Sequence, residues 1–363
     1  MPRLGPLSIN LDLTSACNLA CPFCVDSEII NTGDFIRTGN VKESIDTLVD
    51  YGLRSVIIIG GGEPALHRDF EELTAYFKEK GLQVGIVTNG SRLDKVVSIA
   101  PLLSAGDWVR ISLDSATQKT YEEAHLPKVK IDFQEILNKA ERIKQLNPSV
   151  SLGFSFVIFW DSITFNGYSM PSNVSQMTPA ARLAKEHRFD YISFKPCLVR
   201  LDGSKKESFM HGVDRDARDN IRGEIAGQLE EAKKLNDDTF RILESVNLKA
   251  LIMDQVEQLK TQPGVCHMQF FRSVLTSGGI FHCPAFRGVE KARIGDVTGY
   301  QNEREIQETF KTLEKSIDCF NATEECREVG CFYHHANCWI DELIRNSGDV
   351  ETIEPVEDID CFL

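Results

Sequence analysis

Three cysteines near the start of the chain are the residues best suited to chemistry. Cys17, Cys21 and Cys24 form a C-x3-C-x2-C run directly after a predicted strand, Leu7–Leu13. Three thiolates on one loop can ligate three irons of a [4Fe–4S] cube and leave the fourth iron open to a small chelating molecule, whereas ferredoxin-type runs provide one cysteine for each iron. The alternatives are three core cysteines or part of a zinc site. Zinc needs a fourth Cys or His at similar spacing, and the first histidine of the chain is His67.

A glycine-rich turn follows the second predicted strand, Ser55–Ile59. It reads Gly60-Gly61-Gly62-Glu63-Pro64. Glycines adopt positive φ and let the backbone approach a ligand closely. The backbone carbonyls of this turn and the Glu63 carboxylate can accept hydrogen bonds from an ammonium group. The alternative is a tight turn between a strand and a helix that binds no ligand.

Polar residues also mark the ends of the next two predicted strands. Thr88-Asn89-Gly90 ends the third strand, and Arg110-Ile111-Ser112-Leu113-Asp114 ends the fourth. Because side chains alternate along a strand, Arg110, Ser112 and Asp114 face one side, the expected interior of a barrel. Arg110 could equally pair with Asp114 as a structural ion pair.

Taken together, these motifs resemble the radical S-adenosylmethionine (radical SAM) superfamily, most specifically at residues 17–24 and 60–64. The resemblance implies that the amino and carboxylate groups of SAM bind the open iron. An electron from the cube then splits SAM into methionine and a 5′-deoxyadenosyl radical. It also implies that the glycine turn grips the SAM amino group, that an aromatic residue lies near the adenine, and that the loops after the third and fourth strands line the site. The implied SAM-binding residues are Phe23, Gly61, Gly62, Glu63, Pro64, Asn89, Arg110, Ser112 and Asp114.

Seven further cysteines lie between residue 266 and the C-terminus. With a hairpin glycine at Gly278, their spacing resembles the SPASM extension of radical SAM enzymes, although the middle spacings are longer than the usual C-x2-C-x5-C-x3-C. The resemblance implies one or two auxiliary [4Fe–4S] clusters, and a single-cluster, twitch-like domain is the leading alternative. Neighbouring histidines leave zinc open as well. We expect two clusters, one on Cys266, Cys283 and Cys338 and the other on Cys319, Cys326, Cys331 and Cys361; the histidines are His267, His282, His334 and His335.

Strand-like and helix-like segments alternate through the first half of the chain. Six predicted strands and five intervening helices indicate an α/β fold, a partial (β/α)6 TIM-like barrel whose active site forms at the C-terminal ends of the strands. We expect this barrel over residues 1–200, a helical linker over 201–262 and a small cysteine-rich, SPASM-like α+β domain with a β-hairpin over 263–363. The predicted strands are Leu7–Leu13, Ser55–Ile59, Gln83–Thr88, Trp108–Leu113, Ser151–Phe159 and Tyr191–Phe194; the helices are Val41–Tyr51, Asp69–Lys80, Leu93–Leu103, Phe133–Leu146 and Thr178–His187.

Composition narrows the possible partners and compartments. The chain has 40 basic and 54 acidic residues and a net charge of −14, so a nucleic-acid partner is not expected, because the phosphate backbone would be repelled. No apolar run reaches the ~18 residues of a membrane span, and the N-terminus shows no export signal. Eleven cysteines in such a chain favour metal binding or catalysis over disulfides. We therefore expect a cytoplasmic protein with no membrane partner.

The motifs predict a radical SAM oxidoreductase. A flavodoxin or ferredoxin supplies the electron, a hydrogen atom is removed from a small polar metabolite (sugar- or cyclitol-like), and an auxiliary cluster accepts an electron. The preference for a small metabolite depends on the apparent lack of an N-terminal peptide-binding domain. A maturase that crosslinks or epimerises a ribosomally made peptide is the alternative, and a non-catalytic metal-binding or electron-carrier protein is another. Cys197, after the sixth strand, is either a hydrogen donor or a buried small hydrophobe.

Overall fold

The computed structural model describes residues 5–161, 163–165, 167–200, 207–208, 213–327, 330–331 and 333–346. Cys361, expected to be a cluster ligand, lies outside the described residues.

A ten-stranded sheet forms the centre of the described chain. Its order is β11-β8-β5-β4-β3-β2-β1-β12-β13-β14. The strands from β11 to β12 are parallel to their neighbours, whereas β13 and β14 are antiparallel. The strands are β1 Ser8–Leu11, β2 Ser55–Ile58, β3 Gln83–Thr88, β4 Trp108–Ser112, β5 Ser151–Ile158, β6 Thr164–Phe165, β7 Tyr168–Ser169, β8 Tyr191–Pro196, β9 Val199–Arg200, β10 Glu207–Ser208, β11 Arg241–Glu244, β12 Arg272–Thr276, β13 Gly279–Phe281 and β14 Arg293–Gly295.

Helices pack on the outer face of this sheet through apolar stripes. In the helix Phe133–Leu146, for example, Phe133, Ile136, Ala140 and Ile143 are buried, and the Asp132 side chain caps the first turn. The helices are α1 Thr38–Asp50, α2 Phe70–Glu79, α3 Leu93–Ile99, α4 Gln118–His125, α5 Phe133–Leu146, α6 Met177–Glu186, α7 Arg215–Lys233, α8 Val246–Ile252, α9 Met268–Phe271, α10 Glu303–Cys319, α11 Ala322–Glu325 and α12 His334–Arg345.

The predicted α/β fold is confirmed, and the six expected barrel strands are β1 to β5 and β8. The segment between residues 201 and 262 differs from the helical linker that we expected, because it also contains two strands. Strand β10 pairs with β9, and β11 pairs in parallel with β8 and adds a seventh strand to this side of the sheet. The sequence pattern missed β11 because only two apolar residues lie between Arg241 and Glu244, and the strand follows a long charged helix.

The predicted hairpin is present as β12 and β13, and it continues the barrel sheet. Strand β12 pairs in parallel with β1, from Ser8 opposite Arg272 to Leu11 opposite Leu275. The cysteine-rich segment therefore shares its backbone hydrogen bonds with the first barrel strand. The three-part division of the chain remains a prediction.

Two strand glycines make room for large side chains on the inner face of the sheet. A Cβ at Gly85 would lie 2.3 Å from the Trp108 ring, and one at Gly153 would lie 2.2 Å from the Tyr191 ring. Between these rings lies Arg110, whose guanidinium is 5.6 Å from the centre of Trp108 and 5.5 Å from that of Tyr191. The glycines thus allow an aromatic layer to form around a buried arginine.

We expect Gly153→Ala to lower the free energy of unfolding by about 1–3 kcal/mol, because the added methyl group overpacks the strand against Tyr191. Urea denaturation measures the change. Gly223→Ala is the matched control, since Gly223 lies in α7 with nothing within 4 Å of the added Cβ, and alanine favours helix there by up to about 1 kcal/mol. Equal stabilities of the two variants would contradict this account of the aromatic layer.

Candidate active site

The three leading cysteines lie on the loop between β1 and α1, at the C-terminal ends of the barrel strands. Backbone hydrogen bonds fix this loop. The Cys17 N–H donates to Asn31 Oδ1 over 2.9 Å, the Cys24 N–H donates to the Cys21 carbonyl over 3.1 Å, and the Ala20 N–H donates to the His125 carbonyl over 3.0 Å. All three cysteines are half-buried thiols. The loop therefore offers three sulfur atoms from one short, well-anchored segment.

Burial disfavours the charged forms of two of these thiols. It raises the pKa of Cys17, and it raises that of Cys21 well above the usual value, with further increases from the charges of Cys24 and Asp114. Within the described ranges, no three His, Cys, Asp or Glu side chains lie close enough together to hold a single metal ion. A cube asks for a wider arrangement, because each thiolate binds a different iron. The donor set therefore fits a [4Fe–4S] cluster better than a gathered zinc site.

The glycine turn packs directly on the cysteine loop. The Gly62 N–H donates to the Thr14 carbonyl over 2.7 Å, and the Glu63 N–H donates to the Ala16 carbonyl over 2.8 Å. A Cβ at Gly62 would lie only 2.0 Å from the Ala16 oxygen, and one at Gly61, whose φ is +62°, would lie 2.9 Å from the Thr14 oxygen. Only glycines permit this approach.

The Glu63 carboxylate is buried and bonded to protein donors. One oxygen accepts from Thr88 Oγ1 over 2.7 Å and from the Ala65 N–H over 3.0 Å, and the other accepts from the Asn89 N–H over 2.7 Å. Burial nevertheless raises its pKa. These bonds join the glycine turn to the end of β3, and a contact between Glu63 and the SAM amino group stays a prediction.

Asn89 connects the end of β3 to the cysteine loop. Its side-chain amide donates to Asn18 Oδ1 over 3.1 Å and lies 3.9 Å from Cys17 Sγ. Asn89 therefore lies beside the cysteine loop in the structure, as expected.

The end of β4 places its polar residues at two depths. Asp114 is buried with a φ of +52°; its Oδ1 accepts from the Val157 N–H over 2.7 Å, and burial raises its pKa to about 7. Ser112 is half-buried on the same strand. Arg110 lies deeper, where its Nε donates to the Tyr191 hydroxyl over 3.2 Å. The structure thus keeps Ser112 and Asp114 near the barrel mouth and uses Arg110 within the aromatic layer; their contacts with SAM stay predictions.

Sequence reasoning missed His125, which lies behind the cluster loop at the end of α4. Its Nδ1 is 3.2 Å from Cys21 Sγ, and its Nε2 is 3.1 Å from the Leu113 carbonyl oxygen. Phe23 packs against this imidazole at 5.8 Å and against Phe159 at 4.7 Å between ring centres. One turn earlier, the buried Tyr121 hydroxyl has no hydrogen-bond partner among the residues that the structure describes. In the sequence, the only indication of this arrangement was the spacing of Tyr121 and His125, four residues apart and therefore on one face of a helix.

A buried arginine from the cysteine-rich segment also reaches the cluster loop. Arg287 Nε lies 2.6 Å from Asp12 Oδ2 at the end of β1, and its Nη1 lies 2.8 Å from Asp26 Oδ1, two residues after Cys24. Its Nη2 would be 2.6 Å from a Cβ at Gly60. The guanidinium therefore joins β1, the cysteine loop and the glycine turn.

Four cysteines of the C-terminal segment line one cavity beside β12 and β13: Cys266, Cys283, Cys326 and Cys331. Burial and, to a lesser extent, the charge of Cys266 raise the pKa of Cys283 to about 12. The pKa values of Cys326 and Cys331 are raised by burial and then by the charges of the neighbouring thiols. In the same lining, both ring nitrogens of His282 are buried without a hydrogen-bond partner in the part of the chain that the structure describes. Four mutually close thiols and unpartnered polar atoms fit a resident cluster.

This grouping differs from the pairing that the sequence suggested. Cys338 lies outside the cavity lining, with its sulfur 3.8 Å from His334 Nε2, and Cys319 is exposed at the end of α10. Sequence order could not reveal this, because the cavity combines a hairpin, α11 and the segment that follows it. Cys197 is 1% exposed within the barrel core, as its apolar alternative predicts; its role as a hydrogen donor stays a prediction.

Comparison with known proteins agrees with this geometry. Residues 11–159 match the Radical SAM superfamily. The match covers less than half of the chain. Proteins of that superfamily use a [4Fe–4S] cluster and SAM, and the cysteine loop and the glycine turn both lie within the matched residues; their role as the cofactor site stays a prediction.

The similar proteins have several different activities. The S-adenosylmethionine-dependent nucleotide dehydratase of Selenomonas ruminantium is 30% identical over 154 residues, 41% of this chain and 56% of that protein. The mycofactocin maturase MftC of Mycobacterium tuberculosis is 38% identical over 115 residues, 31% of this chain and 29% of that protein. The match therefore spans about half or less of these relatives.

A solved structure resembles the fold of this chain over nearly the whole length of this chain. The crystal structure of Streptococcus suis SuiB superposes with a TM-score of 0.62 and 16% identity, over 94% of this chain and 74% of that one. At this identity the similarity concerns the fold alone. No helix in the described part of the chain is long and apolar enough to cross a membrane.

We expect Gly62→Ala to separate the glycine turn from the cysteine loop, because its methyl group would collide with the Ala16 carbonyl. The anaerobically reconstituted variant should lose most of the iron bound at Cys17, Cys21 and Cys24 and should not cleave SAM. Iron per chain and 5′-deoxyadenosine formation measure both effects. Gly39→Ala, in α1 with nothing within 4 Å of the added Cβ, should behave as the unmodified protein. Full iron retention and SAM cleavage by Gly62→Ala would refute the packing argument.

The Arg287 guanidinium, which joins the C-terminal segment to the cysteine loop, should contribute strongly to the free energy of unfolding. Arg287→Met leaves Asp12 and Asp26 buried together without a cation, and we expect a loss of about 3–5 kcal/mol in the free energy of unfolding. Urea denaturation measures it. Arg304→Met is the control, since Arg304 is exposed in α10 and pairs with Glu308 on the surface; surface pairs contribute little. A loss no larger than that of the control would argue against a structural role for Arg287.

Proposed function

We propose that this chain is a radical SAM oxidoreductase that removes a hydrogen atom from a small polar substrate in the barrel mouth and passes the second electron to an auxiliary cluster. The single observation that carries this proposal is the presence of two thiol sites on one sheet. Three cysteines lie at the end of β1, and four line a cavity beside β12, the strand paired with β1.

When bound, the leading cluster and SAM supply the 5′-deoxyadenosyl radical. The protein contributes position and exclusion of water. Cys17, Cys21 and Cys24 hold the cluster, the glycine turn and the end of β3 form the adjoining wall, and Phe23 with Phe159 provides an apolar surface at the same edge. The rigid connection between these elements favours one orientation of SAM.

The proposed reaction balances as a two-electron oxidation. One C–H bond of the substrate breaks, and its hydrogen atom leaves as part of 5′-deoxyadenosine. The oxidation is completed when the substrate gives up one proton to solvent and one further electron. Cys266, Cys283, Cys326 and Cys331 would hold an auxiliary cluster that could accept this electron. A flavodoxin or ferredoxin would supply the electron for SAM cleavage, and the same type of carrier would remove the second one.

Polar groups on the inner face of the sheet support a small polar substrate. Ile9 and Leu11 of β1 belong to the hydrophobic core, whereas Ser8 and Asn10 face the opposite side. Of the two, Asn10 lies nearer to the C-terminal end of β1, and its Oδ1 is buried without a hydrogen-bond partner among the described residues. Such an oxygen atom can accept a hydrogen bond from a hydroxyl group of a sugar- or cyclitol-like alcohol.

A peptide substrate is the second candidate. The fold similarity to SuiB extends to a structure of that protein bound to precursor peptide SuiA, with a TM-score of 0.62 over 94% of this chain. The sequence similarity to a mycofactocin maturase favours the same class.

Product analysis separates these possibilities. We expect the reduced, reconstituted protein to form 5′-deoxyadenosine, and sugar-like alcohols, more than short peptides, to raise its yield in equal amounts with an oxidised product. Cys283→Ala should still cleave SAM but lose product formation, because the substrate radical has no electron acceptor; Cys319→Ala, an exposed site, is the control. No SAM cleavage would leave an electron carrier as the better explanation. Stimulation by peptides alone would favour the maturase, and full product formation by Cys283→Ala would remove the auxiliary site from the reaction.

A further inference from the structure

The cavity lined by the four C-terminal cysteines, here called the auxiliary cavity, also contains the buried imidazole of His282. The proposed reaction gives this imidazole no role. His282 is 2% exposed, and neither of its ring nitrogens has a hydrogen-bond partner among the described residues. A buried polar group without a partner destabilises the folded state. Native proteins rarely retain such a group unless water, an ion or another ligand forms a hydrogen bond with it.

Aromatic rings pack against this imidazole. Its ring packs edge-on against Phe320 at 5.0 Å and lies 6.0 Å from the Phe286 ring. His282 is the residue before Cys283, and both line the cavity with Cys266, Cys326 and Cys331. Sulfur atoms are therefore the most numerous hydrogen-bond acceptors among the side chains that line this cavity.

We propose that an N–H of His282 donates a hydrogen bond to a sulfur of the auxiliary cluster and makes that cluster easier to reduce. This inference rests on the proposed function, since it requires an iron–sulfur cluster on the four cysteines. It assigns His282 as a positioning and tuning residue, not as a ligand.

The physical reason is the charge that the cluster gains on reduction. One more electron increases the negative charge on the sulfur atoms, so a hydrogen-bond donor stabilises the reduced state more than the oxidised one. The apolar walls of Phe286 and Phe320 strengthen this effect, because little solvent screens the interaction. A neutral imidazole is sufficient, since either tautomer carries one N–H. An easily reduced auxiliary cluster is what an acceptor of electrons from a substrate radical needs.

The test isolates the auxiliary cluster. Replacing Cys17, Cys21 and Cys24 by alanine removes the SAM-binding cluster, and iron content then reports the auxiliary site alone. In this background we compare His282 with His282→Phe, which keeps an aromatic ring against Phe320 but cannot donate, and with His282→Gln, which retains an N–H. A redox titration followed by electron paramagnetic resonance measures the midpoint potential. The control is His335→Phe, because His335 lies on α12 outside the cavity lining.

We expect His282→Phe to retain its iron and to shift the midpoint potential to a lower value, His282→Gln to recover part of the shift, and His335→Phe to leave the potential unchanged. An unchanged potential in His282→Phe with iron retained would overturn the hydrogen bond while leaving the auxiliary cluster in place; it would mean that water completes the imidazole. Loss of iron in both His282 variants would make the imidazole a ligand and overturn the proposal in its stated form. If the triple cysteine variant with His282 intact bound no iron, the auxiliary cluster itself would fail, and this inference with it.

Discussion

The close contact between the Gly60–Pro64 turn and the backbone of residues 14–16 is the constraint on which the site depends. Two backbone hydrogen bonds cross it, and there is no space for a side chain at Gly62. Glu63 then extends the connection to the end of β3 through three hydrogen bonds. Three neighbouring strand ends are thereby held in one arrangement. A loop carrying three thiols would otherwise have considerable freedom, and fixing it before metal binding lowers the entropy that cluster assembly must overcome.

A buried ion pair also fixes the C-terminal segment to the cysteine loop. Arg287 reaches from the region after Cys283 to Asp12 and Asp26, so that one guanidinium compensates two carboxylates beside the cysteine loop. Because such a buried group needs its partners, displacement of the hairpin region would also disturb the leading cysteines. The two thiol sites are therefore mechanically connected, in addition to any transfer of electrons between them.

Much of the fold could be predicted from the sequence, because its strongest signals are local. Apolar runs such as that of β2 and the amphipathic pattern of α5 identify elements without tertiary information, and the GGGEP turn carries its chemistry in its residue types. The features that could not be predicted from the sequence depend on contacts between distant segments. Strand β11 is too short to be distinguished from helix, and the position of His125 beside Cys21 depends on how α4 packs. The set of four cysteines around one cavity likewise follows from the tertiary fold, since spacing along the chain suggested another grouping.

The parallel pairing of β12 with β1 has a consequence for the integrity of the barrel. Strand β1 has β2 on one side and β12 on the other, so neither of its edges offers unpaired amide and carbonyl groups to another chain. Exposed edges invite edge-to-edge association between molecules. The cysteine-rich segment thus also protects the first strand from aggregation, and a shortened chain ending before residue 272 would lose that protection together with the auxiliary thiols.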